Sequence, residues 1–284
     1  MAASSVNHEW IPQGFEDVSH RTSIDDERTL ARDKQETSKE QKAAFKASLV
    51  EAKQRKKKQR RYLAEKRRAA RAARGHDYTV GEEIANAVSH GIGAGLAIAA
   101  IPIAVVIAVS HGGGVSLLCA LVYTIGMFCE YLISTLYHAI QPLGAKRVFR
   151  ILDHSCIYIY IAATYMPYCL LTLGDVGGLW LCIFVWTVSL LGIVFEAFWV
   201  TRPRWISAVL YVALGWSVIV FLPQLYSLLA PAGFWLLVAG GVSYTIGAVL
   251  YAATKKIRYI HSVFHVFVLG GSVCQFLSII LYVL

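Results

Sequence analysis

From Ile84 onward the chain alternates between apolar stretches and short polar or glycine-rich connectors. Each stretch runs to about 20 residues, long enough to cross a hydrocarbon core as a helix. The pattern predicts seven spans: 84–109, 115–139, 151–173, 179–200, 205–226, 232–253 and 260–283. His111-Gly112-Gly113-Gly114, Pro142-Leu143-Gly144, Gly174-Asp175-Val176-Gly177-Gly178, Arg202-Pro203-Arg204 and Pro231-Ala232-Gly233 separate them, and such residues punctuate a helix rather than extend it. Toward the N-terminus the pattern reverses. Residues 1–30 are polar with no apolar period, which reads as disorder. Residues 33–74 are rich in Ala, Lys, Arg, Gln and Glu and lack Pro and Gly, so they are helix-prone. The expected fold is all-α: a seven-transmembrane helix bundle over residues 81–284, preceded by a basic, partly helical or disordered arm over residues 1–80.

Composition sharpens this division. Of 284 residues 56% are hydrophobic and 16% are charged, where a soluble domain carries about 25% charged residues. Of the 27 Lys and Arg, 19 precede residue 80. The remaining basic residues sit in alternate connectors: Lys146, Arg147 and Arg150; Arg202 and Arg204; Lys255, Lys256 and Arg258. By the positive-inside rule the N-terminus and these three loops are cytoplasmic and the C-terminus is extracytoplasmic. A soluble, fibrous or disulfide-stapled secreted class is excluded. So is a retinal-binding rhodopsin, since no lysine follows Lys256. A G-protein-coupled receptor would place its N-terminus on the opposite side. The first thirty residues contain no apolar core of a signal peptide, so none is expected. All six cysteines fall inside spans without a Cys-x-x-Cys spacing and read as packing residues.

The cationic run Lys53–Arg61 and the residues Lys66, Arg67, Arg68, Arg71 and Arg74 admit three readings: a solvated flank that fixes topology, attraction to anionic lipid head groups, or nucleic-acid binding. An arm tethered to a bilayer has limited access to nucleic acid, so none is expected as a partner. Membrane lipids are.

Ionisable groups inside spans mark function more often than chance, because burying them in lipid is costly. Here they gather at one depth: Ser89 and His90, His138, Asp153 and His154, and His261 with His265. His261 and His265 are four apart and share one helix face, as do Ser134 and His138, with Glu130 one turn further inward. Three imidazoles from two helices suit a zinc site with a fourth position left for water, which Asp153 would orient. Packed interfacial histidines and a proton relay fit the same spacing. Glu130, near the middle of its span, is expected to be neutral or paired. Glu196, close to the cytoplasmic end of its span, is within reach of water or Arg202, and a structural role is expected for it.

These residues also carry a resemblance. Glu83-Ile84-Ala85-Asn86-Ala87-Val88-Ser89-His90-Gly91 resembles the opening motif of the hemolysin III family, a bacterial branch of the progestin and adipoQ receptor superfamily. Ser134 and His138 match its Ser-x-x-x-His motif. Leu152-Asp153-His154-Ser155-Cys156-Ile157-Tyr158 is similar to its Asp-His block, and His261-Ser262-Val263-Phe264-His265 to its His-x-x-x-His motif. The resemblance covers about residues 80–284 and leaves the arm out. It implies a seven-span bundle with the N-terminus inside, in the inner membrane of a bacterium. It also implies Zn²⁺ held by His138, His261 and His265, with Asp153 and Ser134 beside a water. Gln275 stands where members often have another histidine, and Ala163 where Gly is commoner. The function implied is zinc-dependent hydrolysis of lipid amides or esters. The alternatives are a non-catalytic membrane regulator or sensor with structural zinc, a membrane-permeabilising protein, and a proton-coupled transporter.

Overall fold

The computed structural model describes residues 16–73, 78–199, 203–253 and 257–284. The chain divides into two compact units, residues 1–71 and 72–284. The described residues of the first form one long helix, α1 (Glu16–Ala73), whose side chains are exposed from Lys34 to Lys66. The disorder expected for residues 1–30 therefore does not hold from Glu16 onward, where no Pro or Gly interrupts the backbone. Residues 1–15 lie outside the described residues, as do Arg74, Arg202, Lys255 and Lys256.

The second unit is built of helices joined by short connectors, its α-helices among the described residues being α2 (Val80–His111), α3 (Gly114–Ala139), α4 (Leu143–Pro167), α5 (Gly178–Phe198), α6 (Arg204–Gly215), α7 (Leu222–Leu228), α8 (Pro231–Ala253) and α9 (Ile260–Tyr282). With α6 and α7 counted as one crossing, seven helical segments are long and apolar enough to span a membrane among the described residues. The distribution of polarity is that of a protein dissolved in lipid. Ile84, Val88, Ile92, Ile103 and Val106 of α2 are exposed, whereas Glu83, Asn86 and His90 of the same helix are buried. Trp180, Trp199, Trp205 and Trp235, all near helix ends, are exposed as well, as in the aromatic belts of membrane proteins.

Local chemistry sets the ends of the elements. Thr79 caps α2 in a capping box: its hydroxyl accepts from the Glu82 backbone N–H at 3.3 Å while its own N–H donates to the Glu82 carboxylate at 2.8 Å. After Pro167 the backbone widens into one π-helical turn, Tyr168–Thr172. Gly177 ends this connector with φ +95°, a conformation that glycine adopts without a Cβ penalty. At Gly93 the ring of Tyr131 packs so closely that a Cβ would sit 2.5 Å from it. That close approach joins α2 to α3 beside His90, whose ring meets Tyr131 edge-on.

Two boundaries differ from the sequence-based expectation. The third span starts at Leu143 rather than residue 151, so Lys146, Arg147 and Arg150 lie within the first turns of α4. The fifth span is not one helix. After Gly215 it tightens into a 3₁₀ segment, Ser217–Phe221, before α7. Pro223 lacks the N–H that would continue the ladder. The hydroxyl of Tyr165 satisfies the interrupted backbone: it donates toward the carbonyls of Leu214 and Gly215 at 3.2 and 2.7 Å and accepts from the Val218 N–H at 3.0 Å. Irregular backbone at this depth is tolerated where it is buried in protein or lines a cavity, and Gly215, Trp216 and Val218 do line one.

Candidate functional site

His138 occupies the last turn of α3, and His261 and His265 the first two turns of α9. Because successive spans cross in opposite senses, the end of α3 and the start of α9 share one end of the bundle. The structure brings all three rings together there, buried, with one ligand atom from each lying within 4.8 Å of the others. Zinc–nitrogen bonds of 2.0–2.1 Å in tetrahedral geometry would bring such atoms to roughly 3.3 Å apart, so small side-chain movements close the cluster on an ion. Nε2 of His138 and Nδ1 of His261 are buried without a hydrogen-bond partner among the described residues. The donor set therefore fits a divalent cation that favours nitrogen ligands.

The helix that supplies no ligand sets the orientation of those that do. Glu83, Asn86 and His90 lie on one face of α2, one turn after another. The carboxylate of Glu83 meets Nδ1 of His138 at 2.7 Å, which leaves Nε2 for the cluster. Nδ1 of His265 lies 3.2 Å from the Asn86 carbonyl and 3.0 Å from the Ser89 hydroxyl, which turns its Nε2 the same way. Ser262 donates to the Asn86 side-chain oxygen at 2.6 Å, tying the start of α9 to α2. Such partners fix ring orientation and tautomer in metal sites. Lys146 completes the arrangement. It is 3% exposed, pairs with Glu83 at 2.8 Å, and donates to the carbonyls of Tyr137 and Ile140 at the end of α3. A residue that reads as a topology-setting loop charge is thus buried against the cluster.

Ser134 and Asp153 are buried one turn along α3 and on α4, and both line a cavity of about 170 Å³ together with His261 and His265. Glu130 and His90 line it too. Each has buried polar atoms that lack a hydrogen-bond partner among the described residues, Oε2 of Glu130 and both ring nitrogens of His90. His90 stacks on His265 with ring centroids 3.5 Å apart. From this polar head the cavity runs along α4, α6, α8 and α9 to Tyr168, Leu173 and Gln275. Gln275 lies far from the cluster, where its side chain accepts from Tyr168 and donates to the Leu237 carbonyl. Glu196 does not reach water. It is 2% exposed and pairs with His154 at 3.3 Å.

Sequence reasoning singled out the three histidines, Ser134 and Asp153 but gave no place at the cluster to Glu83, Asn86 or Lys146. The signal was present in the spacing of Glu83, Asn86 and His90, three and four apart on an otherwise apolar helix.

Known proteins resemble the chain over most of this helical unit. The family profile described as Haemolysin-III related matches residues 78–276. Hemolysin-3 of Bacillus cereus is 43% identical over 205 residues, covering 72% of this chain and 93% of that protein. The Hemolysin-3 homolog of Bacillus subtilis (strain 168) is 40% identical over 205 residues, covering 72% and 96%. The human Monocyte to macrophage differentiation factor is a more distant relative, 23% identical over 170 residues, or 56% of this chain and 68% of that protein. The matched region contains every residue of the histidine cluster and its α2 supports, and the chain belongs to the haemolysin III-related family.

Proposed function

We propose that the protein is a zinc-dependent hydrolase of lipid amides or esters, working at the inner leaflet of a bacterial inner membrane. One observation carries this reading: three buried imidazoles with donor atoms within 4.8 Å of one another at the head of a cavity lined by Ser134 and Asp153. His138, His261 and His265 would hold the ion. A zinc ion bound there would activate water and polarise a carbonyl oxygen. Asp153 takes the proton of the attacking water, and Ser134 donates a hydrogen bond to the oxygen on which charge develops. The apolar remainder of the cavity suits an acyl chain.

The orientation proposed rests on charge. Lys146, Arg147, Arg150, Arg204 and Arg258 lie at the end of the bundle that holds the cluster, which supports a cytoplasmic position for that end and the N-terminus. The basic arm of residues 1–80 then lies where anionic head groups are available to it, and residues 81–284 form the membrane domain.

Purified protein assayed against lipid amides in mixed micelles tests the reading. Turnover falls at least about 100-fold in His138→Ala, His265→Ala and Asp153→Ala. Equal turnover in all three variants and the parent contradicts catalysis. A second reading, a membrane regulator in which zinc is structural, draws on the way Glu83, Asn86 and Ser262 knit α2, α3 and α9 around the cluster. It is favoured if metal removal unfolds the bundle while no lipid is turned over. The Bacillus cereus relative is named as a hemolysin, and membrane permeabilisation by this chain would show as dye release from vesicles.

A further inference from the structure

The wall of the cavity carries a second polar device that the metal site does not use. His154 of α4 lines the cavity, as do Tyr211 of α6 and Tyr251 of α8. Behind His154 stands Glu196 of α5, with Oε2 at 3.3 Å from Nδ1 of the imidazole. The other carboxylate oxygen, Oε1, accepts from the Tyr211 hydroxyl at 3.0 Å. The same hydroxyl lies 3.0 Å from the backbone carbonyl of His154, which pins the helix turn as well as the carboxylate. Nε2, the far nitrogen of the ring, faces the Tyr251 hydroxyl at 3.5 Å. The Tyr251 ring in turn lies 5.9 Å, centroid to centroid, from that of His261. Four helices therefore converge to hold one imidazole with a carboxylate at its back and its other nitrogen on the cavity side.

A carboxylate in a lipid-embedded bundle is costly to bury, and Glu196 is 2% exposed. Set against Nδ1 of His154 and held by Tyr211, the carboxylate is placed to fix the Nδ1–H tautomer of His154 and to stabilise the imidazolium when Nε2 takes a proton, the logic of a carboxylate-oriented histidine base.

We propose that the Glu196–His154 pair is the proton-transfer group for the leaving amine, with His154 the catalytic residue that contacts it and Glu196 a positioning residue. This rests on the hydrolase reading above. For a secondary amide the steps balance as follows. The water oxygen bonds to the carbonyl carbon and one water proton goes to Asp153. Asp153 releases that proton to water, and Nε2 of His154 takes one up from water. The carbon–nitrogen bond breaks with its electron pair remaining on nitrogen, and the nitrogen takes the proton from His154. The products are one carboxylic acid and one amine, and both side chains return to their starting states. The substrate class this favours is the amide, whose nitrogen leaves only when protonated. An ester of an acidic phenol needs no such proton.

The test uses two probes with the same acyl chain, a fluorogenic aminocoumarin amide and a p-nitrophenyl ester, on zinc-loaded full-length protein in micelles. His154→Ala and His154→Gln lose about 100-fold or more in amide kcat with KM unchanged, keep ester turnover within a few-fold of the parent, and regain amide turnover with added imidazole. Glu196→Gln falls between. Amide turnover at the parental rate in these variants overturns the assignment, as does an equal loss on both probes. A parent protein that cleaves neither probe overturns the hydrolase reading and this proposal with it, whereas cleavage of both with His154 silent overturns this one alone. A measurement on the unmutated, metal-free protein is independent of activity and of variant folding: ¹⁵N-histidine spectra report the Nδ1–H tautomer at His154. An Nε2–H tautomer there overturns the proposal.

Discussion

The carboxylate of Glu83 lies fifty-five positions before His138 in sequence and 2.7 Å from it in space. Its other oxygen is paired with buried Lys146 at 2.8 Å, so neither charge is left uncompensated. If the pair holds the His138 ring in place for a metal, then Glu83→Gln keeps the shape of the site and weakens the hold. Zinc affinity, measured by competition with a chelating dye, falls about 10–100-fold. Unchanged affinity would show that Glu83 serves packing alone. The histidines were legible in the sequence because an i, i+4 pair and a Ser-x-x-x-His spacing are local patterns. Glu83 and Asn86 showed a spacing but not a role, since their partners are fixed only when α2 packs on α3 and α9. Lys146 was misread for the same reason: a charge close to a connector looks solvent-facing until its neighbours are known.

The lengths of the elements followed from hydropathy, and the spans were located to within a few residues except at the start of the third. Hydropathy does not distinguish an α-helix from a 3₁₀ turn, so the break in the fifth span was invisible to it. Gly215 and Pro223 marked the place, yet either residue also occurs in unbroken membrane helices. The break depends on a tyrosine from another span. Tyr165→Phe removes the hydroxyl that serves the carbonyls of Leu214 and Gly215 and the Val218 N–H. The expected loss of stability is about 1–3 kcal/mol, read as a lower unfolding midpoint in detergent. A midpoint equal to that of the parent would mean that the interrupted turn satisfies itself. α1 is the opposite case. Its composition announced a helix, but no apolar pattern marked where it starts, and it begins at Glu16.

Within the membrane domain most carboxylates and histidines of the spans are buried while many large apolar side chains face outward, and the buried carboxylates and histidines concentrate at one end. That end also carries the basic residues of the connectors, which is why charge and chemistry point to the same side of the membrane. Labelling of single cysteines, introduced after the native six are replaced, tests the orientation. Gly113→Cys, whose Cβ meets nothing within 4 Å, reacts with an impermeant maleimide on intact cells, while Arg258→Cys reacts only after lysis. The reverse pattern would place the cluster outside. The central claim is that His138, His261 and His265 jointly grip one divalent cation, and metal analysis of the purified protein beside its His261→Ala/His265→Ala double variant tests it most directly. The account predicts close to one zinc per chain in the parent and almost none in a folded double variant. Equal metal content in both, or none in the parent after growth and purification with zinc present, would contradict it.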